Sequence, residues 1–517
     1  IGSYVKCSDA TITGIAQITS YSSATVVGAQ VLKTMPGTSA YGAASGTAWE
    51  ESAWNNRWGW PRHVAAFQGR TFFAQTLSFP DTTWGSRIGN VLDFMERPTV
   101  DDPYFDTYLE DNSRPFQFSP NTKESSIIKD ISSGRTLFIN TDRAEVIARG
   151  LQGALGPLDI ELLSTSSLGS DGGRASRVDN FLTFVQKGGR KLQDLSFNFA
   201  QDEYKPDDLS FTSQHMTVDL ESLTFPANGV DPITEIWGQD DLDPLMWIRT
   251  ANGRLLCVLL NRQQQIVAWS RVILGGRSES RTYPIVKAIA SVEMAVGSGR
   301  FENHLWMVVV RSINGANVVT LERMDSFYEA STFDYETMSA PFCMDLKTGY
   351  SAPSDGETTI TGATHLIGET VQVISNGKYV GDYVVDSSGY ITLPAKYAGQ
   401  FFVYGLKYTS KLKTMPLEIG QQIPGTSQHL IKRVEEAFIK FWNTYGAKYG
   451  YDEGDMIDLD FRDMNVANIN AAPTFYTGIK RLALPTSYER EIQYIIMQDK
   501  PWPCNILSIT SKGVTYD

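Results

Sequence analysis

Short alternating apolar runs that meet at glycine-containing turns recur along this chain of 517 residues. The pairs Gly188-Gly189, Asn252-Gly253 and Asn314-Gly315 each separate two such runs. Two-residue hairpin turns need positive φ, so Asn-Gly and Gly-Gly between apolar runs are strong signals for a β-hairpin. Similar patterns occur around Arg70 and over Ser133–Gly150. The sequence therefore predicts an all-β fold made of repeated hairpins.

The spacing of these hairpins suggests how they are assembled. They follow one another at intervals close to the length of a four-stranded kelch-type blade, about 50 residues. Aromatic residues make up 11% of the chain, charged residues only 20%, and there are 43 glycines. This composition favours β-structure with many tight turns. We expect a β-propeller-like core, and an array of β-sandwiches is the alternative.

A polar, turn-rich stretch over Lys347–Thr359 predicts a domain boundary. The block after it, Ile360–Tyr408, alternates throughout and predicts five or six short strands in a small inserted β-barrel or sandwich. Because the chain starts with Ile1, we expect its true N-terminus to be missing. The predicted parts are an N-terminal β segment (1–45) continuing from upstream, a β-propeller-like domain (46–345), the inserted domain (346–415) and a C-terminal β-rich segment (416–517).

The C-terminal segment is ambiguous between helix and strand. Ile431, Val434, Phe438 and Phe441 fit a helical stripe, whereas the run from Phe438 to Trp442 equally fits a strand, and periodicity leaves both open. The end of the chain predicts a strand, a turn at Pro501-Trp502-Pro503, and another strand.

Charge and cysteine content exclude several function classes. A net charge of −13 argues against binding to nucleic acid or anionic lipid, yet allows DNA to pass without sticking. No signal peptide is visible, and no apolar run approaches the roughly 20 residues that span a bilayer. The four cysteines are far apart and form no CxxC pair, so we expect free, mostly buried thiols and neither a disulfide framework nor a zinc site.

Motifs of catalysis are missing from the sequence. It contains no phosphate-binding loop, no GxSxG elbow and no HExxH. No histidine has a second His or Cys at ligand spacing, which favours packed or surface roles over metal binding. We therefore predict no catalytic, cofactor-binding or metal-ligating residues, no cofactor and no enzymatic activity. The five histidines are His63, His215, His304, His365 and His429.

Four acidic clusters deserve weighing, because glycosidases need two carboxylates beside the sugar and some propellers are glycosidases. None has the sialidase Asp-box pattern, and the last lacks the glycine and spacing of a calcium loop. Solvated loops or an acidic wall are the favoured interpretation. The clusters are Asp101-Asp102 with Asp106, Glu110 and Asp111; Asp202-Glu203 with Asp207-Asp208; Asp240-Asp241 with Asp243; and Asp452 to Asp463.

The stretch WNNRWGWPRHVAAFQGRTFFA, Trp54 to Ala74, contains three Trp and three Arg. It could be a stacking platform for nucleic acid or sugar, or the entrance to a sheet. A Pro fixes the start of a strand in which Val64, Ala66 and Phe72 alternate into the sheet. We expect the aromatics to pack between blades or subunits, and the Arg residues to hold acidic neighbours.

Eight segments, taken in order, carry a family resemblance: AWNNRWGWPRHVAAFQGRTFFA, TTWGSRIGNVLDF, TLFINTDRAEVIARG, FLTFVQKGGRKLQDLSFNFAQDEYKPDDLSFTSQHM, LMWIRTANGRLLCVLLNRQQQIVAWSRVILGG, VVVRSINGANVVTLERM, HLIGETVQVISNGKYV and QDKPWPCNILSI. Together they resemble the tail nozzle proteins (tail tubular protein B, or stabilisation protein) of short-tailed, podovirus-type bacteriophages. Thr71 and Phe72 follow Arg70 where that family usually has Leu. The resemblance covers nearly the whole chain.

The resemblance implies a structural virion protein at the distal end of the phage tail. It implies a closed homo-oligomeric ring of six subunits below a tail adaptor ring, which docks tail fibres or tailspikes and meets the host cell surface on infection. Genomic DNA would pass through the ring, gated until infection, without sequence-specific binding. No catalytic residue is carried over. The alternatives are a β-rich receptor-binding or fibre protein and a propeller-type polysaccharide depolymerase.

Overall fold

The computed structural model describes residues 3–8, 13–35, 48–94, 112–120, 125–178, 181–198, 203–219, 229–241, 243–297, 299–325, 342–418, 427, 429–461, 474–482 and 488–516. Within these ranges the regular structure is β-strand, apart from short 3-10 turns at Gln214–Thr217, Thr364–Leu366 and Ala395–Tyr397. The fold is all-β, with a β-propeller-like core of four-stranded sheets and a small inserted β-sandwich, as the sequence predicts.

The chain divides into two compact units. The first contains the described residues up to Asp219 together with Gly229–Asn252 and Leu256–Ser270. The second contains Gly253–Leu255 and the described residues from Arg271 onward.

The first unit begins with sheet 1, which has the strand order β3-β2-β1-β4, and continues with four antiparallel meanders, sheets 2 to 5. Sheet 1 consists of β1 (Tyr4–Ser8), β2 (Thr13–Ser23), β3 (Val26–Lys33) and β4 (Ala48–Glu51). Sheet 2 consists of β5 (His63–Phe67), β6 (Arg70–Ala74), β7 (Thr83–Gly85) and β8 (Phe116–Phe118). Sheet 3 consists of β9 (Ile128–Ser133), β10 (Leu137–Thr141), β11 (Glu145–Arg149) and β12 (Glu161–Ser166).

Sheets 4 and 5 repeat the same plan, with strands that neighbour one another in the order of the chain. Sheet 4 consists of β13 (Ser176–Val178), β14 (Phe181–Val185), β15 (Leu192–Asn198) and β16 (Glu203–Asp208). Sheet 5 consists of β19 (Ile233–Gln239), β20 (Leu245–Thr250), β21 (Leu255–Asn261) and β22 (Ile266–Val272). A two-stranded ribbon between them pairs β17 (Val218–Asp219) with β18 (Gly229–Val230).

Neighbouring meanders pack face to face, which is the arrangement of propeller blades. Strand β10 is buried at every position because its two faces serve two cores. Leu137 and Ile139 pack with Phe72 and Phe116 of sheet 2, while Phe138 packs with the apolar side chains of sheet 4. A third core joins sheets 4 and 5. The side chains that alternate along each strand thereby hold successive sheets together.

The second unit starts with sheet 6 and the sandwich. Sheet 6 consists of β23 (Ile285–Gly297), β24 (Arg300–Ile313) and β25 (Ala316–Arg323). In the sandwich, a sheet of β26 (Asp345–Ser351), β31 (Phe401–Leu406), β28 (Thr370–Ser375) and β29 (Lys378–Val384) shares one core with the pair β27 (Thr359–Ile360) and β30 (Ile391–Thr392). The turn-rich stretch predicted from Lys347 is in part strand, because β26 pairs with β31.

Two sheets built from distant segments complete the second unit. Sheet 7 joins β32 (Ser410–Lys413), β37 (Ile495–Gln498), β34 (Lys448–Gly450) and β35 (Ile457–Asp458), in that order. Sheet 8 joins β36 (Tyr476–Leu482), β33 (Ile431–Thr444) and β38 (Asn505–Tyr516). Strand β33 settles the helix-or-strand ambiguity. Val434 and Phe441 are buried, whereas Ile431 and Phe438 are only half-buried, so the four apolar residues of the apparent helical stripe do not share one face of the strand.

Candidate functional site

A pair of titratable side chains, His63 and Asp130, lies where sheets 2 and 3 meet in the first unit. His63 opens β5 and Asp130 lies in β9, and these two strands contact each other. The His63 Nδ1 atom lies 3.7 Å from Asp130 Oδ1, and its Nε2 atom lies 3.0 Å from Gln75 Oε1. Asp130 Oδ2 accepts the Ala175 N–H at 2.7 Å. Both ring nitrogens face protein acceptors, so the arrangement suits holding a proton better than attacking a substrate.

Burial dominates the electrostatics of this pair. It raises the pKa of Asp130 to about 7, against the lowering effects of the Ala175 and Ile131 N–H groups and of Arg174. Burial also lowers the pKa of His63, while its hydrogen bond to Gln75 opposes that shift. The sequence analysis named His63 alone. Asp130 lies in none of the acidic clusters, and in the sequence it is one carboxylate beside Lys129 in a short alternating run.

His304 and His365 lie in different elements of the second unit, and neither forms a cluster with another histidine among the described residues. His304 is buried in β24, and His365 lies 3.4 Å from the Thr348 hydroxyl and against the Tyr404 ring. Among the described residues, no group of three or more His, Cys, Asp or Glu could hold a metal ion. None of the four cysteines forms a disulfide among the described residues: Cys7 and Cys257 are buried, and Cys343 and Cys504 are half-buried.

The described members of the acidic clusters are exposed or half-buried. The cluster from Asp101 to Asp111 lies outside the described residues, as do Asp202 and the part of the last cluster beyond Phe461. Asp208 pairs with Lys191 at 2.7 Å. In the last cluster Glu453 pairs with Lys411 and Asp458 with Lys500. Lysines thus neutralise part of the acidic charge locally.

In the stretch from Trp54 to Ala74, the structure corrects two predictions. Trp54 packs edge-on against Phe73, Trp84 and Phe94, inside the region of sheet 2 and not between blades, whereas Trp60 is 58% exposed and packing between subunits stays a prediction. The strand phase is also wrong for β5: Ala65 and Phe67 are buried, whereas Val64 and Ala66 point outward. The register pairs Phe72 with Ala65, so only Phe72 of the predicted inward set faces the core.

The arginines of that stretch divide into two kinds. Arg57 lies 3.6 Å from Glu51, which fits the predicted acidic neighbour. Arg70 is 1% exposed and instead donates to the backbone carbonyls of Ser86, Asn112 and Arg114. A guanidinium has five N–H donors, so one Arg can satisfy several buried carbonyls of a loop. Arg70 is therefore a structural anchor.

A second buried charge cluster lies in the second unit, where sheet 6 meets the sandwich. Arg311 of β24 donates to both carboxylate oxygens of Glu322 and to the Gly275 carbonyl. Its Nη2 atom lies 3.5 Å from Asp345, whose Oδ2 accepts the Gly275 N–H. Burial raises the pKa of Asp345 to about 6, although Arg311 opposes the shift. The cluster pairs its charges internally, which favours a structural role.

Two sheets present apolar faces to solvent. In sheet 1 the register aligns Val5, Ala16 and Val31 across three strands, with Ile18 and Ala29 in a neighbouring row. These residues line an open groove of about 490 Å³ together with Val27 and Met35.

The apolar face of sheet 6 is built in the same way. Val308 pairs with Leu321, and Val310 pairs with Val319. Leu321 and Val319 are 68% and 64% exposed. Contiguous exposed apolar surface on a sheet marks an interaction surface more often than a free one. No helix among the described residues is long and apolar enough to cross a membrane.

No protein-family model matches the chain, and no curated protein sequence matches it. Solved structures with some similarity include a protein from Lactobacillus plantarum, at 9% identity and a TM-score of 0.30, covering 78% of this chain and 99% of that chain. A luciferin-regenerating enzyme has 8% identity and a TM-score of 0.20, covering 48% of this chain and 83% of its own. The exo-β-1,3-galactanase of Phanerochaete chrysosporium has 8% identity and a TM-score of 0.24, covering 87% of this chain and 95% of its own.

Two of these three structures are enzymes. This finding contradicts the prediction that the chain has no enzymatic activity, and we withdraw that prediction. At TM-scores of 0.30 and below, the similarities assign neither an activity nor a substrate to this chain.

Proposed function

We propose that this chain is a subunit of the tail nozzle of a short-tailed bacteriophage. In this proposal six copies form a closed ring below a tail adaptor ring, dock tail fibres or tailspikes, and meet the host cell surface. Genomic DNA passes through the ring without sequence-specific binding. The observation that carries the proposal is the ordered set of eight resembling segments, which extends over nearly the whole chain.

Several residues of those segments are buried or lie in turns with positive φ, where few other residues fit. This supports the resemblance, because such residues are set by the fold. Arg70 and Arg311 are buried charge anchors, and Trp502 is 2% exposed. Gly188 and Gly189 adopt φ of 94° and 69° in the turn between β14 and β15. The fold restricts which residue types can occupy such positions, whereas exposed positions accept many types. A match at these positions is therefore more specific than a match in surface composition.

The apolar faces of sheets 1 and 6 support a ring. A closed ring is made of heterologous contacts, in which two different surfaces of each copy meet on neighbouring copies. The chain offers two such surfaces, and both leave aliphatic side chains in water when the chain is alone. The net charge of −13 is compatible with a conduit, because an acidic wall does not trap phosphate.

Averaged electron images of the purified chain, or of tails that contain it, test the assembly. We expect rings with sixfold symmetry at the distal end of the tail. Threefold symmetry would instead favour the fibre alternative and overturn the nozzle proposal.

Substitutions on the two faces test how the ring closes. Val27→Asp with Val31→Asp charges sheet 1, and Val319→Asp with Leu321→Asp charges sheet 6. Each double variant should be monomeric by native mass spectrometry, whereas the exposed control Val384→Asp in the sandwich should assemble normally. If the two faces meet each other, mixing the two double variants should give heterodimers. Rings from either double variant would exclude that face from the interface.

A further inference from the structure

Two hairpin turns of the second unit have the same sequence and the same backbone geometry. Asn314 and Gly315 connect β24 to β25, with φ of 49° and 75°. Asn376 and Gly377 connect β28 to β29, with φ of 44° and 75°. In both hairpins the residues that flank the turn pair directly with each other, so each turn has two residues. Any difference in behaviour between the two asparagines therefore comes from what their side chains contact.

The two asparagine side chains have different surroundings. Asn376 is half-buried, and its Oδ1 atom accepts the N–H groups of Gln400 and Phe401 at 3.1 and 2.9 Å. Asn314 is exposed, and its side chain has no hydrogen-bond partner among the described residues. Its backbone N–H donates to the Glu369 carboxylate at 3.3 Å, which leaves the side-chain amide free to rotate.

The backbone nitrogen that follows Asn314 is also accessible. In the part of the chain that the structure describes, the Gly315 N–H donates no hydrogen bond. A Cβ atom built on Gly315 would meet nothing within 4 Å, so the space beside this residue is open. Glycine has no side chain that could shield its own nitrogen. A nucleophilic nitrogen and the amide carbon that it can attack are thus both unobstructed in this turn.

We propose that Asn314 is a site of spontaneous deamidation, whereas the fold protects Asn376 from the same reaction. The Gly315 nitrogen forms a bond to the Asn314 Cγ atom, the proton of that nitrogen passes to the departing amide, and ammonia leaves. Water then opens the cyclic imide at either carbonyl, which gives aspartate or isoaspartate. At Asn376 the side chain must first break both of its hydrogen bonds before Cγ can turn toward the Gly377 nitrogen.

The product alters the contact between this turn and the sandwich. The Asn314 Oδ1 atom lies 3.4 Å from the position of a Cβ atom built on Gly368, and Glu369 is the next residue. A carboxylate at position 314 therefore places a second negative charge near Glu369, where like charges repel. Isoaspartate also lengthens the backbone of a turn that sets the pairing of Val310 with Val319. Deamidation therefore weakens the attachment of the β24–β25 hairpin to the sandwich.

Peptide mapping by mass spectrometry tests the site in the wild-type chain, after incubation of the folded protein in mildly alkaline buffer. The peptide with Asn314 should convert to aspartate and isoaspartate roughly 30-fold faster than the peptide with Asn376, which is the factor for two hydrogen bonds of typical net strength. In guanidinium chloride the two peptides should convert at similar rates, because the fold no longer distinguishes them. Asn314→Gln should remove the fast conversion and leave the slow one. Equal rates in the folded chain, or faster conversion at Asn376, would overturn the proposal.

Thermal unfolding tests the effect of the product on the contact. Asn314→Asp should lower the melting temperature, and the same substitution in a Glu369→Gln background should lower it less, because the repelling charge is gone. An equal loss in both backgrounds would overturn the predicted weakening of this contact by the new charge.

Discussion

Sheets 2 to 5 and sheets 7 and 8 are all antiparallel, but they are assembled in opposite ways. In sheets 2 to 5 each strand pairs with the next strand of the chain. In sheet 8, β33 pairs with β38, so that Ile431 lies opposite Tyr516 and Trp442 opposite Asn505. Local meanders are specified by the turn between two strands, whereas distant strands have no turn to set their register and depend on side-chain packing.

The largest expected effect comes from the core of the long-range sheets. Phe441 in β33 is fully buried and packs with Phe461 in a core that sheets 7 and 8 share. Phe441→Ala should lower the free energy of unfolding by about 4 kcal/mol, through lost burial and a cavity. Denaturant unfolding measures this change. Phe301→Ala, at a position 59% exposed, is the control and should change stability by less than about 0.5 kcal/mol.

A substitution at Arg70 tests whether the turns alone are enough to stabilise a local meander such as sheet 2. Arg70→Ala leaves the carbonyls of Ser86, Asn112 and Arg114 without this donor, which should cost about 3 kcal/mol. Arg57→Ala removes an exposed pair with Glu51 and a contact with the Trp58 ring, and should cost under about 1 kcal/mol. Equal melting temperatures for the two variants would mean that the hairpin itself specifies this sheet.

At the turn Gly188-Gly189, the destabilisation caused by backbone strain can be measured separately from that caused by a steric clash. Both residues have positive φ, but a Cβ on Gly188 meets nothing within 4 Å, whereas one on Gly189 would lie 2.5 Å from the Pro232 Cβ atom. Gly188→Ala should cost about 1 kcal/mol and Gly189→Ala about 2 to 3 kcal/mol. Thermal unfolding of the two variants compares them. An equal loss of stability in the two variants would show that Pro232 moves away from the new Cβ atom without a cost in free energy.

The last expected effect is a dependence on pH and concerns Asp345 in the second unit. Burial raises its pKa from 3.8 to about 6, so the folded chain takes up a proton there and loses stability as pH rises through this range. The slope is at most about 1.4 kcal/mol per pH unit. Asp345→Asn should remove the Asp345 contribution, and so change the pH slope of melting curves recorded between pH 4 and 7 relative to the wild type. The exposed control Asp355→Asn should retain it, and a retained slope in Asp345→Asn would contradict this account.

The candidate sites were less predictable than the fold. A single Asp in the strand IKDISS gives no sequence signal of a partner 67 residues earlier in the chain, at His63. Likewise, Arg311 could be assigned to a hairpin but not to a cluster with Asp345, because that contact joins two sheets. Titratable pairs of this kind form where two sheets pack together. The periodicity within one strand does not show which residues of another sheet the strand will contact.

By itself, the sequence determined the local β-structure. Turns such as Asn314-Gly315, with φ of 49° and 75°, follow from residues that tolerate positive φ, and the alternating runs beside them supply strands. Only the tertiary structure decided which face of β5 is buried, that β33 is a strand, and that Trp502, in the predicted turn between β37 and β38, also fills a core. The backbone preferences that form a turn depend on a few neighbouring residues. Burial depends on which distant parts of the chain pack against each face of a strand.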